Sequence, residues 1–487
     1  MAYFNCLGAL LTRESHSFNP RALNRTAVIN VVGLSESLLG PHTPHLNRFR
    51  QRGALCRIAP AFPAVTCTAQ ANYLTGLTPA EHGIVGNGWY NRESAEVEFW
   101  KQSNRLVGGR KLWERLREAD PHFTCAQLFW WFNMYSSVDW SITPRPMYPA
   151  DGRKIFDIYS WPYSVRTEIK RELGEFPFAC FWGPAAGVDN PQGPADAASR
   201  WIAEAAKWIE RKYTPSLSLV YLPHLDYNLQ RLGPQHSGLA ADLRLIDAIA
   251  GDLMAFFEKQ SVQVLLLSEY GISAVDRPIH LNRLFREQGW LTLKEELGRE
   301  VLDCGASRVF AVADHQVAHI YCADRAFERA VLALLEKQPG IAEVWNSAEK
   351  RARGLNHPRA GDLIAVAQDR SWFTYYYWQD DRRAPDFART VDIHRKPGFD
   401  PVELFLDPAI PLVRAKLAWR LLQKRLGLRM LMDVIPLDAS LVKGSHGRPP
   451  VRAEESPVLL SPCPTLVPKG IIESTDVGEV IRRHVLG

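Results

Sequence analysis

The sequence predicts an α/β protein whose mainly parallel, doubly wound sheet carries helices on both faces. Short apolar runs, which predict buried strands, alternate along the chain with longer amphipathic stretches, which predict helices. The first run, Thr26–Gly33, is mostly apolar and ends in a glycine turn, as the opening strand of such a sheet does. Because strands that alternate with helices usually pair in parallel, we expect these runs to share one sheet.

The remaining elements follow the same alternation. Further strands are predicted at Thr124–Trp131, Leu217–Leu222, Val262–Leu267 and Ser456–Leu460. Helices are predicted at Pro44–Arg50, Lys111–Ala119, Ala197–Lys212, Gly238–Lys259 and Ser474–Leu486. Ser474 or Thr475 is expected to cap the last of these helices.

Two stretches interrupt the alternation and predict insertions. Residues from about 132 to 195 are rich in proline, glycine and aromatic residues, which suits a cap over a site. Residues from about 305 to 400 predict a small α+β insertion, with strands and a helix at Ala318–Cys322, Ala326–Lys337, Val344–Ser347 and Asp362–Ala367. We therefore expect an N-terminal extension at 1–25 and one large α/β domain at 26–487 that contains both insertions.

Composition excludes several classes of protein. The chain has 487 residues, with 58 Lys and Arg against 53 Asp and Glu, and a net charge of +5. Spread over this length, that charge predicts neither nucleic-acid binding nor a polybasic membrane anchor. No apolar run reaches the roughly 18 residues that a transmembrane helix needs. The composition leaves a globular protein of a size typical of enzymes, and the oligomeric state stays open.

The cysteines bear on the compartment. They contain no C-x-x-C pair that would indicate a zinc or redox motif, and several lie in apolar runs. The short apolar stretch Cys6–Leu11 lacks the basic start and the cleavage site of a signal peptide. We therefore expect free buried thiols in a cytoplasmic protein. The eight cysteines are Cys6, Cys56, Cys67, Cys125, Cys180, Cys304, Cys322 and Cys463.

The segment Phe62–Asn87 is the most informative part of the sequence. Thr66 precedes a predicted helix, and a helix N-terminus offers free N–H groups and a positive dipole end to phosphate. This segment resembles the nucleophile segment of the alkaline phosphatase superfamily, specifically its nucleotide pyrophosphatase/phosphodiesterase branch. The resemblance implies that Thr66 attacks phosphorus and that Asn87 donates to the phosphoryl oxygens. Taken alone, the two residues would instead be a helix cap and a turn residue.

Further landmarks extend the resemblance over residues 26–487 in the same order. Leu222–Asp226 resembles the family segment that carries an aspartate metal ligand, and Val264–Gly271 stands where a strand ends in an Asp-His pair. Lys443–Gly447 resembles the segment with the last histidine ligand, His446. The resemblance therefore implies the fold of that superfamily and a site for divalent zinc-type ions.

The expected metal site is degenerate. The aspartate that the family has after the first strand is Val32 here, and the histidine one helical turn after Asp226 is Gln230. The Asp-His pair has become Glu269 and Tyr270. Valine cannot bind a metal, and glutamine and tyrosine are poor zinc ligands. Asp226 and His446, with Glu269, thus remain as ligands for one zinc-type ion, or for none.

Other polar residues are candidates to replace the lost ligands. Asn30 lies two residues before Val32, and His224 lies two residues before Asp226, so each was expected to project from the same side as its neighbour. Asp392 and His394 belong to a cluster of charges around a Pro-Gly turn. A third cluster is Asp314-His315-Gln316 with His319. Each could equally be a hydrogen-bonded structural residue.

The resemblance implies a hydrolase that transfers a phosphoryl group from a phosphodiester or a phosphomonoester through Thr66. Two alternatives stay open: a pseudoenzyme that binds a phosphorylated ligand or a partner without hydrolysis, and a phosphomutase-like or isomerase-like enzyme. In each reading the partner is a phosphorylated small molecule or protein ligand. Neither nucleic acid nor a transmembrane segment is expected.

Overall fold

The computed structural model describes residues 23–487. The N-terminal extension expected at 1–25 lies outside the described residues except for its last three positions. The strands are β1 Thr26–Val31, β2 Ala54–Ala59, β3 Gly88–Asn91, β4 Glu96–Phe99, β5 Cys125–Leu128, β6 Trp140–Pro144, β7 Ile158–Trp161, β8 Leu217–Leu222, β9 Gln263–Leu267, β10 Ser273–Ala274, β11 Arg277–Ile279, β12 Leu293–Glu296, β13 Arg299–Leu302, β14 Val309–Asp314, β15 Val317–Cys322, β16 Ile341–Trp345, β17 Leu363–Ala367, β18 Ser371–Phe373, β19 Gly444–Ser445, β20 Val458–Ser461 and β21 Ile471–Glu473.

The α-helices lie between these strands, as the alternating pattern predicts. They are α1 Pro44–Arg52, α2 Thr66–Thr75, α3 Pro79–His82, α4 Leu112–Ala119, α5 Tyr163–Leu173, α6 Ala197–Tyr213, α7 His224–Leu232, α8 Leu239–Lys259, α9 Leu281–Glu287, α10 Ala326–Leu335, α11 Ser347–Ala352, α12 Val413–Arg425 and α13 Val477–Leu486. The sequence analysis did not predict α3, α5, α9, α11 or α12.

One large sheet forms the centre of the molecule. Its strand order is β21-β2-β20-β9-β1-β8-β5-β6-β7. Strands β9, β1, β8, β5 and β6 pair in parallel, whereas β20 and β7 are antiparallel to their neighbours. Every residue of β1 is buried, so both faces of the sheet are covered there. The predicted α/β fold with a mainly parallel sheet is confirmed.

The two stretches that were predicted to be insertions differ in structure. Strands β14 to β17 make an antiparallel sheet with the order β14-β15-β17-β16, and they pack into a second apolar core. The stretch at about 132–195, which was expected to be a cap, does not form a separate sheet. Its strands β6 and β7 instead extend one edge of the central sheet.

The structure also bears on the predicted helix cap, the cysteines and the transmembrane segments. The prediction that Ser474 or Thr475 caps the last helix was wrong, because α13 begins at Val477 with Asp476 at its N-cap. Ser474 Oγ instead accepts a hydrogen bond from Asn72 Nδ2 at 2.8 Å. The seven cysteines within the described residues are free thiols. No helix in residues 23–487 is long and apolar enough to cross a bilayer.

Candidate active site

The candidate site lies where the central parallel strands end. Asn30 of β1 is in register with Tyr221 of β8 and Leu267 of β9, so these three strands end side by side. The chain continues from β8 into α7 with Asp226, and from β9 into Glu269 and Tyr270. Crevices at the carboxyl ends of such strands are the usual ligand sites of open α/β sheets.

Thr66 is the first residue of α2, and its N-cap residue Val65 provides no side-chain cap. The N–H group of Cys67 donates to Asn87 Oδ1 at 3.1 Å. All ten residues of α2 are buried, which fixes the position of the helix N-terminus. The resulting concentration of N–H groups and the positive dipole end favour a bound anion next to the Thr66 hydroxyl.

Asn87 is oriented by Asp314, the last residue of β14. Its backbone N–H donates to Asp314 Oδ2 at 2.8 Å, and its side-chain Nδ2 donates to Asp314 Oδ1 at 3.1 Å. Burial raises the pKa of Asp314 to about 6, although the bonds from Asn87 favour the carboxylate. A Cβ at Gly86 would lie 3.1 Å from Asp314 Oδ2, so glycine there permits this close approach. One hydrogen of Asn87 Nδ2 remains for a ligand.

A chain of hydrogen bonds joins Thr66 to a buried carboxyl group. Tyr270 donates from its hydroxyl to Asp226 Oδ1 at 3.2 Å, and the Thr66 hydroxyl oxygen lies 3.3 Å from the Tyr270 hydroxyl oxygen. Because the Tyr270 proton is used on Asp226, Thr66 is the donor in the second bond. Gln230, one helical turn from Asp226 as predicted, donates to Asp226 Oδ2 at 2.8 Å. Burial raises the pKa of Asp226 to about 7, and the bonds from Tyr270 and Gln230 limit that rise.

Two imidazole rings lie beside this chain. The His446 ring lies between two rings: it stacks on Tyr270, with centroids 3.6 Å apart, and it contacts the His315 ring, which is tilted by 35°, with centroids 3.7 Å apart. His446 Nδ1 donates to the Ala64 carbonyl at 2.7 Å, and His315 Nδ1 donates to Asp314 at 2.8 Å. Burial lowers the pKa of both histidines well below the usual range. Within the described part of the chain, His315 Nε2 has no hydrogen-bond partner.

Glu269 lies behind the Thr66 helix. Asn30 Nδ2 donates to Glu269 Oε1 at 2.5 Å, and the Gln70 side-chain amide donates to the same oxygen. Burial raises the pKa of Glu269 to about 8, and these two amides partly oppose the shift. Gln70 was missed in the sequence, although its position one helical turn after Thr66 places both residues on one face of α2.

The residues expected to bind a metal do not fit one. Both carboxylate oxygens of Asp226 accept bonds from protein donors, and Glu269 is held by two amides. Tyr270 contacts both Asp226 and His446, and its phenol is a poor zinc ligand. No group of three or more His, Cys, Asp or Glu side chains within residues 23–487 is arranged to hold a metal ion. The expected ligand set of Asp226, His446 and Glu269 is therefore not assembled.

The other candidate ligands also lie elsewhere. Val32 is fully buried in the apolar core. The expectation that His224 projects beside Asp226 was wrong, because both belong to α7, where residues two apart point about 200° apart. His224 Nε2 lies 3.0 Å from Asp242 Oδ1 instead. His394 lines the cavity described next and bonds to the Phe99 carbonyl at 3.2 Å, whereas the Asp392 backbone N–H donates to Glu403.

A cavity of about 1470 Å³ opens in front of Thr66. Its mouth is formed by loops within 144–156 and 178–192 and by the segment around α12. The residues at its inner end are those of the hydrogen-bonded and stacked groups above, namely Thr66, Asn87, Asp226, Tyr270, His315 and His446. The volume exceeds that of ordinary small-ligand pockets, so a ligand considerably larger than a phosphate fits.

Comparison with known proteins identifies the family of the chain and supports its fold. Residues 26–400 match the family model of type I phosphodiesterase / nucleotide pyrophosphatase. An uncharacterized pyrophosphatase/phosphodiesterase of Schizosaccharomyces pombe is 21% identical over 330 residues, which are 66% of this chain and 58% of that protein. This chain thus spans little more than half the length of that relative.

Two solved structures show the same fold. Murine ectonucleotide pyrophosphatase/phosphodiesterase 5, an inactive Thr-to-Ala variant in complex with AMP, has a TM-score of 0.55 at 14% identity, with 95% of each chain covered. Phosphonoacetate hydrolase from Sinorhizobium meliloti 1021 in complex with phosphonoformate has a TM-score of 0.57 at 13% identity, with 96% of each chain covered. Since the family model covers well over half of the sequence, the chain belongs to the type I phosphodiesterase / nucleotide pyrophosphatase family of the alkaline phosphatase superfamily.

Proposed function

We propose that this protein is a phosphoryl-transfer hydrolase that cleaves a phosphodiester or a phosphomonoester through a covalent bond to Thr66. The observation that carries the proposal is the chain of hydrogen bonds from the Thr66 hydroxyl through Tyr270 to Asp226. A hydroxyl is a weak nucleophile until a base takes its proton. Here the base is connected to the hydroxyl at a helix N-terminus, where a phosphate group binds favourably.

In the first step, Thr66 Oγ1 forms a bond to phosphorus while the bond from phosphorus to the leaving-group oxygen breaks. The Thr66 proton moves to Tyr270 Oη as the Tyr270 proton moves to the Asp226 carboxylate. The leaving oxygen takes a proton from water in the open cavity. The N–H groups at the start of α2 and the remaining Nδ2 hydrogen of Asn87 stabilise charge on the phosphoryl oxygens.

In the second step, water attacks the phosphorus atom of the phosphothreonine and Thr66 Oγ1 leaves. Asp226 returns its proton through Tyr270 to Thr66, which restores the starting state. We assign to His315 Nε2, a neutral nitrogen without a partner among the described residues, the role of accepting a hydrogen bond from the attacking water and orienting it, while the proton of that water passes to solvent in the open cavity. Asp314 holds this ring through Nδ1, so that Nε2 stays an acceptor.

The ligand proposed here is a phosphorylated small molecule. Two similar structures hold AMP and phosphonoformate, which supports this class of ligand without identifying it. The cavity has room for a large group next to the phosphate, since it extends from Thr66 to the segment around α12. A phosphodiester or a substituted monoester therefore fits better than inorganic phosphate alone.

Binding without hydrolysis is the competing function. It is favoured by the residues that replace expected metal ligands at Val32, Gln230 and Tyr270, since a metal ion would otherwise help to activate the Thr66 hydroxyl. In that case the site would hold a phosphorylated ligand at the end of α2 without forming a bond to Thr66. The two functions predict different results for one set of variants.

The test compares wild type with Thr66→Ala and Thr66→Ser on p-nitrophenyl phosphate, bis(p-nitrophenyl) phosphate and nucleotide esters. Hydrolysis by wild type that Thr66→Ala abolishes and Thr66→Ser partly retains supports the covalent mechanism. Equal rates for wild type and Thr66→Ala would overturn it. If no ester is cleaved and AMP binds equally to wild type and Thr66→Ala in calorimetry, the competing function is supported.

A further inference from the structure

An exposed basic segment lies at the mouth of the cavity. Residues 408–432, which we call the basic arm, contain α12, and no residue of that helix is buried. A helix in a globular protein normally buries an apolar stripe against the core. The basic arm therefore presents a helix surface that the rest of the described chain leaves uncovered.

The charge of the basic arm is one-sided. It contains six Lys and Arg residues and no Asp or Glu, so its formal charge of +6 exceeds the net charge of +5 of the whole chain. Lys416 and Arg420 pair with Asp433 at 2.8 and 3.0 Å, and these bonds attach the helix to the end of the arm. The other four cations have no carboxylate within ion-pair distance among residues 23–487. They are Arg414, Lys424, Arg425 and Arg429.

An apolar stripe runs along the outer side of the basic arm. Leu412, Trp419, Leu422 and Leu426 are 83%, 56%, 46% and 64% exposed. With Ala415 between them, they follow one another at steps of three or four residues, so they share one helix face. Isolated exposed apolar residues are common, but a continuous exposed stripe of this kind indicates an interaction surface.

The opposite face of α12 is already used, because Leu417 and Leu421 line the cavity. If the helix rotated to bury the stripe, Leu417 and Leu421 would leave the cavity wall. The arm also contacts the neighbouring loop, since Lys424 Nζ lies 4.9 Å from the centre of the Phe156 ring. Phe156 is itself 40% exposed, so apolar surface continues from the arm across the cavity mouth.

We propose that the basic arm docks the protein on an anionic lipid bilayer. Of the four unpaired cations, Arg425 lies beside the exposed apolar stripe, whereas Arg414, Lys424 and Arg429 line the cavity. A cation beside exposed apolar residues matches a surface with negative headgroups above an apolar interior. The helix lies in the plane of the headgroups, with Trp419 and Leu422 inserted and Arg425 close to the lipid phosphates. The net charge of the whole chain did not predict this anchor, because acidic residues elsewhere in the chain offset the positive charge of the arm.

The test measures co-sedimentation of the full-length protein with two kinds of vesicles, phosphatidylcholine alone and phosphatidylcholine mixed with phosphatidylglycerol. Wild type is expected to sediment with the anionic vesicles and to dissociate in high salt. The double variant Trp419→Glu/Leu422→Glu is expected to lose binding by at least about tenfold, and Arg425→Glu by several fold. Leu297→Glu and Arg382→Glu change exposed residues outside the arm and serve as matched controls.

Equal sedimentation with both vesicles, or unchanged binding of the arm variants, would overturn the proposal. Binding of the arm to soluble polyglutamate without binding to anionic vesicles would overturn it as well, in favour of an acidic protein partner. The proposed hydrolysis fails separately, because Thr66→Ala removes turnover of a soluble ester and leaves vesicle binding intact. The arm variants should retain that turnover, since Trp419, Leu422 and Arg425 do not line the cavity.

Discussion

The ring of Tyr270 lies parallel to the ring of His446, with the two centroids 3.6 Å apart. The stack fixes the direction of the Tyr270 hydroxyl, which reaches Asp226 on one side and Thr66 on the other. The resemblance implies a histidine metal ligand at position 270. The tyrosine found there instead links the Thr66 hydroxyl to the Asp226 carboxyl group. Four predictions follow from this arrangement and from the residues packed around it.

Replacement of Tyr270 by Phe removes the linking hydroxyl and retains the stack on His446. If the hydroxyl carries the proton from Thr66 to Asp226, kcat on bis(p-nitrophenyl) phosphate should fall by about 10² to 10⁴, the usual contribution of a positioned acid or base. KM should change little, because the helix N-terminus and Asn87 still bind the phosphate. An unchanged kcat would show that Thr66 loses its proton by another route. Thermal unfolding of the variant controls for loss of structure.

Replacement of Asp314 by Asn should weaken the hold on Asn87. The carboxylate accepts two bonds from Asn87, and an amide offers only one acceptor oxygen. Since Asn87 also accepts from the Cys67 N–H, the helix N-terminus should lose part of its alignment. We expect kcat/KM to fall about tenfold or more, which corresponds to the loss of a charge-assisted bond. The same kinetic values in the variant and wild type would contradict a positioning role.

The sequence predicts the central fold well because the signals are local. The buried strand Leu217–Leu222 was predicted at its observed bounds, since a short continuous apolar run between two helices is typical of a buried strand. Thr66 and Asn87 were identified through their shared motif, and the bond from Cys67 N–H to Asn87 Oδ1 places Asn87 beside the start of α2, whereas the catalytic roles of both residues stay predictions. The step from Asp226 to Gln230 follows from helix periodicity alone.

Local sequence patterns did not predict the contacts between distant parts of the chain. Asp314 reaches Asn87 from β14, which belongs to a different sheet, and no local pattern shows which of several polar clusters lies near Thr66. The strand argument for His224 failed because the chain enters α7 directly after β8. The helix α12 was missed since its exposed apolar stripe has no matching core, although the three- and four-residue spacing of Leu412, Trp419 and Leu422 is visible in the sequence.

Chelation provides a third prediction. Both oxygens of Asp226 accept bonds from protein donors and Glu269 is bonded by two amides, so a divalent ion would have to displace these donors. We expect dialysis against EDTA to leave the turnover that depends on Thr66 within about twofold of its starting value. Elemental analysis of the purified protein should find less than one zinc equivalent per chain. Loss of turnover on dialysis, with recovery on addition of zinc, would contradict the arrangement described above.

The stability of the protein should fall in mild acid, in part because of His319. Its Nδ1 accepts from the Gly361 N–H at 3.0 Å and its Nε2 donates to the Val85 carbonyl at 2.9 Å, so the ring is held neutral. Burial lowers the pKa of His319 to about 4, with Asp314 opposing the shift and Lys350 adding to it. The unfolded chain binds a proton near pH 6.5 and the folded chain does not, so stability falls as the pH drops from 6.5 towards 4.

Between pH 6.5 and pH 5 this single residue should lower the free energy of unfolding by about 2 kcal/mol, at about 1.36 kcal/mol per pH unit. The variant His319→Gln retains one acceptor and one donor without a titrating group, so its free energy of unfolding should change less over the same interval. Urea denaturation at the two pH values measures the difference. His122→Gln, a change at an exposed position, is the matched control and should follow wild type. A pH dependence of His319→Gln equal to that of wild type would show that the acid sensitivity arises at other buried groups.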